Sequence, residues 1–163
     1  MNARAILGAC LAFFLLGRAV GFSAGGARAF WMPVYAPHKF KAVVSYYGTY
    51  DFTASPILAM RTSTNRGSPL YMLDRFHVAG LLLRGARDTE VPVDMVNRMK
   101  AATIAHGMPA EAVIYPDCYH GFDRGPAAGY GRYTQNGTLL QLNNDCEADA
   151  RARAVAWFRK YLR

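Results

Sequence analysis

With 163 residues, 52% of them apolar and 18% charged, the chain is long and hydrophobic enough to pack the core of one domain and too hydrophobic for a disordered segment. A formal net charge of +8 raises the question of a nucleic-acid partner, but the arginines are scattered singly and form no basic run or stripe, which argues against that class. An arginine-rich surface, or an anionic substrate, accounts for the charge instead.

The first residues read in two ways. Met1 to Arg4 is short and basic, Ala5 to Leu16 is an apolar run, and Ala27-Arg28-Ala29 resembles a cleavage site, so residues 1–29 could serve as an export signal. Otherwise the chain is cytoplasmic, with an apolar segment over 1–16. The run is too short for a stable membrane-spanning helix.

From Gly17 on, short β-like runs alternate with helix-like stretches, the pattern of an α/β protein with a parallel sheet. Arg18 to Phe22 is predicted as a strand, and Ala24 to about Met32 as its helix, stopped by Pro33. Phe40 to Tyr46 is the second strand. Val78 to Arg84 is the third, nearly all apolar as a strand buried on both faces should be. Pro92 to His106 reads as a helix that Gly107 terminates, and Glu111 to Tyr115 as the fourth strand. A loop rich in glycine, asparagine and proline follows from Gly121 to Asn143. Asn144 or Asp145 then caps a last helix to about Leu162, where Val155, Phe158 and Leu162 recur at core-packing spacing. The three cysteines, Cys10, Cys118 and Cys146, lack metal-type spacing, and their odd number argues against a disulfide framework.

Three residues stand where such a sheet keeps its reactive groups, just past strand carboxyl ends. Ser23 lies in Gly21-Phe22-Ser23-Ala24-Gly25-Gly26, a Gly-x-Ser-x-Gly pattern between strand and helix. This is the tight nucleophile elbow that lifts a serine hydroxyl above the sheet. Asp88 follows the third strand and His120 the fourth. A serine hydroxyl is a weak nucleophile until an imidazole accepts its proton, and the imidazole needs a carboxylate to fix its tautomer. Ser23, Asp88 and His120 are therefore the candidate catalytic residues, with the Ala24 N–H at the helix start as an oxyanion donor. His38, His77 and His106 have no such setting and read as surface or core residues.

The segment Arg18 to Leu162 resembles the catalytic part of the dienelactone hydrolase family. The resemblance rests on Gly-Phe-Ser-Ala-Gly-Gly, Val-Val-Ser-Tyr-Tyr-Gly, Leu-Leu-Leu-Arg-Gly-Ala-Arg-Asp-Thr-Glu-Val-Pro and Tyr-Pro-Asp-Cys-Tyr-His-Gly-Phe-Asp-Arg. It implies an α/β-hydrolase fold and hydrolysis of a small ester or lactone through an acyl-enzyme, with no metal or cofactor. Serine at the nucleophile position places the chain with the family's esterase-like members. Arg124, four residues after His120, falls where the lactonases hold a substrate carboxylate, and the Tyr46-Tyr47 pair falls at the mouth of the family's pocket. Phe22, Tyr47 and Arg124 are the candidate substrate-binding residues.

The family fold has on the order of a hundred residues before the elbow, which include the loop with a second oxyanion N–H. About twenty precede it here. The expectation is thus a single, partial α/β-hydrolase domain over residues 1–163, with a mostly parallel sheet of about four strands flanked by helices. Its activity would be weak, and its elbow strand would be left with an unpaired outer edge open to self-association, unless residues 5–16 cover that edge. The alternative is an inactive fragment or interaction protein that keeps the half-fold.

Overall fold

A computed structural model describes residues 12–15, 17–54, 67–134 and 137–163, the first four as backbone alone. Its centre is a five-stranded sheet in the order β1-β2-β3-β4-β5, formed by Ala12–Leu15, Gly17–Phe22, Phe40–Tyr46, Ala79–Gly85 and Ala110–Tyr115. Strands β2 to β5 are mutually parallel, while β1 runs antiparallel to β2, with Ala12 opposite Gly21.

This antiparallel strand decides between the two expectations for the elbow strand: Ala12–Leu15, from the run over 5–16, covers its outer edge, which is therefore not left unpaired. Residues 1–11, and with them Cys10, lie outside the described residues.

Alternation of side chains along each strand divides the core between the two sheet faces. Val43 and Leu82 pack with Phe30, Met95 and Met99 under α1 (Ala24–Tyr35) and α2 (Val93–Ala105). Their neighbours Val44, Leu81 and Leu83 pack on the other face with Ala150, Ala154 and Trp157 of α3 (Asn144–Tyr161). Strands covered on both faces must be apolar throughout, and β4 is buried at all its positions. No helix among the described residues is long and apolar enough to cross a membrane.

Three local expectations need correction. Pro33 does not stop α1; it is buried within the last turn, which runs on to Tyr35 and closes with the Ala36 N–H donating to the Met32 carbonyl at 2.8 Å. A proline so near the end removes one ladder bond only. The cap of α3 is Asn143, one residue earlier than predicted: its side-chain oxygen accepts from the N–H groups of Asp145 and Cys146, both at 3.1 Å. The stretch read as loop over 121–143 contains a small antiparallel pair, β6 (Arg132–Tyr133) and β7 (Leu139–Leu140).

The cysteine expectation is also overturned. Cys118, fully buried after β5, and Cys146, in the first turn of α3, form a disulfide. An odd count carried no information about this pair, because the third cysteine is simply elsewhere in the chain.

Candidate active site

At the carboxyl end of β2 the backbone turns through Ser23 at φ 55° and ψ −126°, a strained conformation for a residue with a side chain. The turn holds because its surroundings leave no alternative. A Cβ added to Gly21 would overlap the Gly25 carbonyl, and one on Gly26 would overlap the Ser45 hydroxyl and the Gly48 backbone. The Ser23 N–H donates to the Tyr46 carbonyl at 3.0 Å, and the Gly26 N–H to the Ser23 carbonyl at 2.8 Å. Ala24 is the first residue of α1, so its N–H has no acceptor within the helix.

Two further loops converge on this serine. After β4, the Arg87 N–H donates to the Cys118 carbonyl at 3.0 Å, and an added Cβ on Gly85 would overlap that same carbonyl. The loops after β4 and β5 are thus packed backbone to backbone. Asp88, 6% exposed, accepts the N–H groups of Glu90 and Val91 on Oδ1 at 2.8 and 3.1 Å. Its Oδ2 stands 2.9 Å from His120 Nδ1. An ionised carboxylate only accepts, so Nδ1 carries the proton and Nε2 presents a lone pair. Ser23 Oγ lies 2.9 Å from that Nε2. The three residues taken from separate strand ends are brought into one hydrogen-bonded line.

The electrostatics of His120 follow from its neighbours. Burial disfavours the charged imidazolium and pulls its pKa down, but the hydrogen bond and charge of Asp88, with Glu90 in support, outweigh that, and the net shift is upward. Behind Asp88 lies a buried guanidinium. Arg84, 1% exposed, donates from Nη2 to the Asp88 carbonyl at 2.7 Å, with Nε 4.0 Å from Oδ2. Its Nε and Nη1 have no hydrogen-bond partner among the described residues.

Ser23 and His120 open on a cleft of about 270 Å³. Tyr47 and Arg124 line it as well; both tyrosines of the pair are buried in the core cluster under α3, and of the two it is Tyr47 that also reaches the cleft. The ring of Tyr47 lies against His120 at 4.6 Å between centroids, and its hydroxyl donates to Asp123. Burial first, and then the Asp123 carboxylate, push that hydroxyl well above the usual tyrosine range, so it stays a donor. Arg124 places its guanidinium 4.7 Å over the Phe22 ring and its Nε 3.8 Å from Asp123. Phe22 in turn stacks on Tyr46 at 4.7 Å.

Another part of the lining comes from Arg132 of β6, the adjoining Thr134 and Leu140 of β7. Its anchor is the histidine itself: the backbone of His120 forms a parallel bridge with Leu140. Sequence reasoning missed this part of the lining, together with Arg84 and Glu90. Glu90 had a usable signal, since it sits two residues after Asp88 in the same turn. Among the described residues no group of three or more His, Cys, Asp or Glu side chains is placed to hold a metal ion.

The family model for dienelactone hydrolases matches residues 18–162. A Salmonella typhimurium protein named "Putative carboxymethylenebutenolidase" is 32% identical over 146 residues, which cover 86% of this chain and 45% of that protein. An Escherichia coli protein of the same name is 29% identical over the same span. A crystal structure of a Klebsiella pneumoniae protein named "Putative Dienelactone Hydrolase" superposes with a TM-score of 0.63 at 26% identity, covering 87% of this chain and 51% of that one. A Pyrococcus horikoshii acylaminoacyl peptidase has a TM-score of 0.64 at 17% identity and shares the fold alone. The chain spans about half the length of the curated relatives it matches. With the elbow, the parallel sheet and nine-tenths of its length accounted for by one family model, this chain belongs to the dienelactone hydrolase family.

Proposed function

We propose that the chain hydrolyses a carboxylic ester or lactone through an acyl-enzyme on Ser23. The observation that carries this reading is the continuous line Ser23 Oγ, His120 Nε2, His120 Nδ1, Asp88 Oδ2, with 2.9 Å at each of its two hydrogen bonds. Family membership supports it. His120 takes the Ser23 proton as Oγ attacks the carbonyl carbon, and the resulting oxyanion sits by the Ala24 N–H. Asp88 stabilises the imidazolium, which then protonates the departing alkoxide. Water, deprotonated by His120 in the second half, attacks the acyl carbon and releases the acid and Ser23. No step calls for a metal or cofactor.

Arg124 and Arg132 on the cleft support an anionic ester or lactone as the substrate class. Phe22 and Tyr47 shape the surroundings of Arg124 through the cation–π contact and the Asp123 hydrogen bond.

The test is hydrolysis of a short-chain activated ester, together with labelling by a fluorophosphonate, in the parent chain and in Ser23→Ala. Both signals are expected in the first protein, with a fall of about 10³-fold or more in the second. Equal rates in the two proteins would sink the serine mechanism.

A further inference from the structure

Outside the serine–histidine–aspartate line, a second carboxylate faces the same imidazole. Glu90 Oε2 stands 3.3 Å from His120 Nε2, the nitrogen that faces Ser23 Oγ at 2.9 Å. The Glu90 side chain is 16% exposed and lines the cleft. Its backbone N–H donates to Asp88 Oδ1 at 2.8 Å, so the turn that seats Asp88 also fixes where Glu90 begins.

When His120 is neutral, Nε2 offers a lone pair, and an ionised carboxylate gains nothing by facing it. When His120 is protonated, Nε2–H becomes a cationic donor, and the same oxygen completes a charge-assisted hydrogen bond. The placement therefore discriminates between the two protonation states. We propose that Glu90 is a positioning residue for the proton on His120: it holds the imidazolium from the Nε2 side, competes with Ser23 for that nitrogen, and so sets the pH at which the serine becomes reactive. This rests on the roles of Ser23 and His120 given above.

The remaining groups around the imidazole are accounted for. Asp88 holds Nδ1 from the turn after β4, Arg84 stands behind Asp88, and Tyr47 lies on the ring with its hydroxyl committed to Asp123. Arg124 and Arg132 line the same cleft. Burial works against the imidazolium, whereas Asp88 first and then Glu90 favour it. In the reaction, the proton passes from Ser23 Oγ to Nε2 and on to the leaving group, and Glu90 takes no proton in the transfer. Its carboxylate stabilises the charged intermediate but also favours the protonated resting state, in which Nε2 accepts nothing.

Glu90→Gln separates these effects, because the amide keeps the backbone donation to Asp88 and removes the charge. The readouts are the NMR titration of the His120 ring, assigned with His120→Gln, and the pH profile of ester hydrolysis and fluorophosphonate labelling. In Glu90→Gln both midpoints are expected to move down by about one pH unit, while the plateau rate falls several-fold. Glu90→Asp, with its charge set back by one methylene, should fall between the two and guards against a misfolded glutamine variant.

An unchanged His120 titration in both variants would overturn the proposal. So would a shifted titration with an unshifted rate profile. If the parent chain neither hydrolyses ester nor takes the label, the hydrolase reading fails on its own, and the ring titration alone then decides for or against the Glu90 contact.

Discussion

At the scale of single residues, the proposed chemistry depends on which nitrogen of His120 carries the proton. Asp88 decides this by accepting from Nδ1 at 2.9 Å while its other oxygen is occupied by two backbone donors. Asp88→Asn keeps the shape, and Oδ1 can still accept both N–H groups. Its amide would then face Nδ1 with a donor and drive the proton to Nε2, the wrong nitrogen for accepting from Ser23. A loss of ~10⁴-fold in kcat is expected with an unchanged melting curve, measured by ester hydrolysis beside circular dichroism. The raised pKa of His120 gives the accompanying pH dependence its sign: Nε2 loses its lone pair as pH falls through that value, so activity fades on the acid side, beginning above the ordinary imidazole range. The convergence of Ser23, Asp88 and His120 was readable in the sequence because each lies in the turn or loop just past a strand, in the order this fold uses. Glu90 and Arg84 were not, because their significance lies in a side-chain direction within a turn and in burial beneath a carboxylate, and neither leaves a periodic trace.

At the scale of elements, the β5 loop and α3 are clamped together. Cys118 lies two residues before His120, and Cys146 sits in the first turn of α3, 28 residues further on. Cross-linking a loop of this size removes disorder from the unfolded chain, and opening it is expected to cost about 3 kcal/mol. Thermal melts of the parent chain should fall by several degrees on reduction, whereas Cys146→Ser should melt at the lower temperature with or without reductant. Equal melting of oxidised and reduced parent chains would refute the clamp. The four parallel strands and three helices were legible from apolar runs, turn residues and caps. The elements that were missed are short and non-local: β6 and β7 have two residues each, too few to show a period. The pairing of Ala12–Leu15 with β2 is a matter of tertiary contact in a run that is apolar throughout.

At the scale of the whole molecule, the candidate catalytic residues Ser23, Asp88 and His120 gather at one end of the sheet, where strand ends and loops leave room for a cleft. The net charge is +8, and two arginines line that cleft. If the substrate is anionic, the field of the protein draws it in, and salt screens that field: the Debye length shrinks from about 30 Å at 0.01 M to about 3 Å at 1 M. Across that range kcat/KM for a carboxylate-bearing ester is expected to fall by about tenfold, with little change for its uncharged methyl ester. Parallel salt profiles for the two esters would count against an anionic substrate.

The order of the strands in space is their order in the chain, and this gives the protein a timetable. During synthesis the strands of the sheet emerge in the order in which they lie side by side. Of the three candidate catalytic residues Ser23 is made first, Asp88 sixty-five residues later and His120 after that, with Leu140, which bridges to the His120 backbone, later still. A nascent or prematurely terminated chain thus displays a serine with no base to activate it. On the mechanism proposed above, Ser23 gains its base only once the chain has been made past His120, and the bridge from Leu140 that props the histidine loop comes later still.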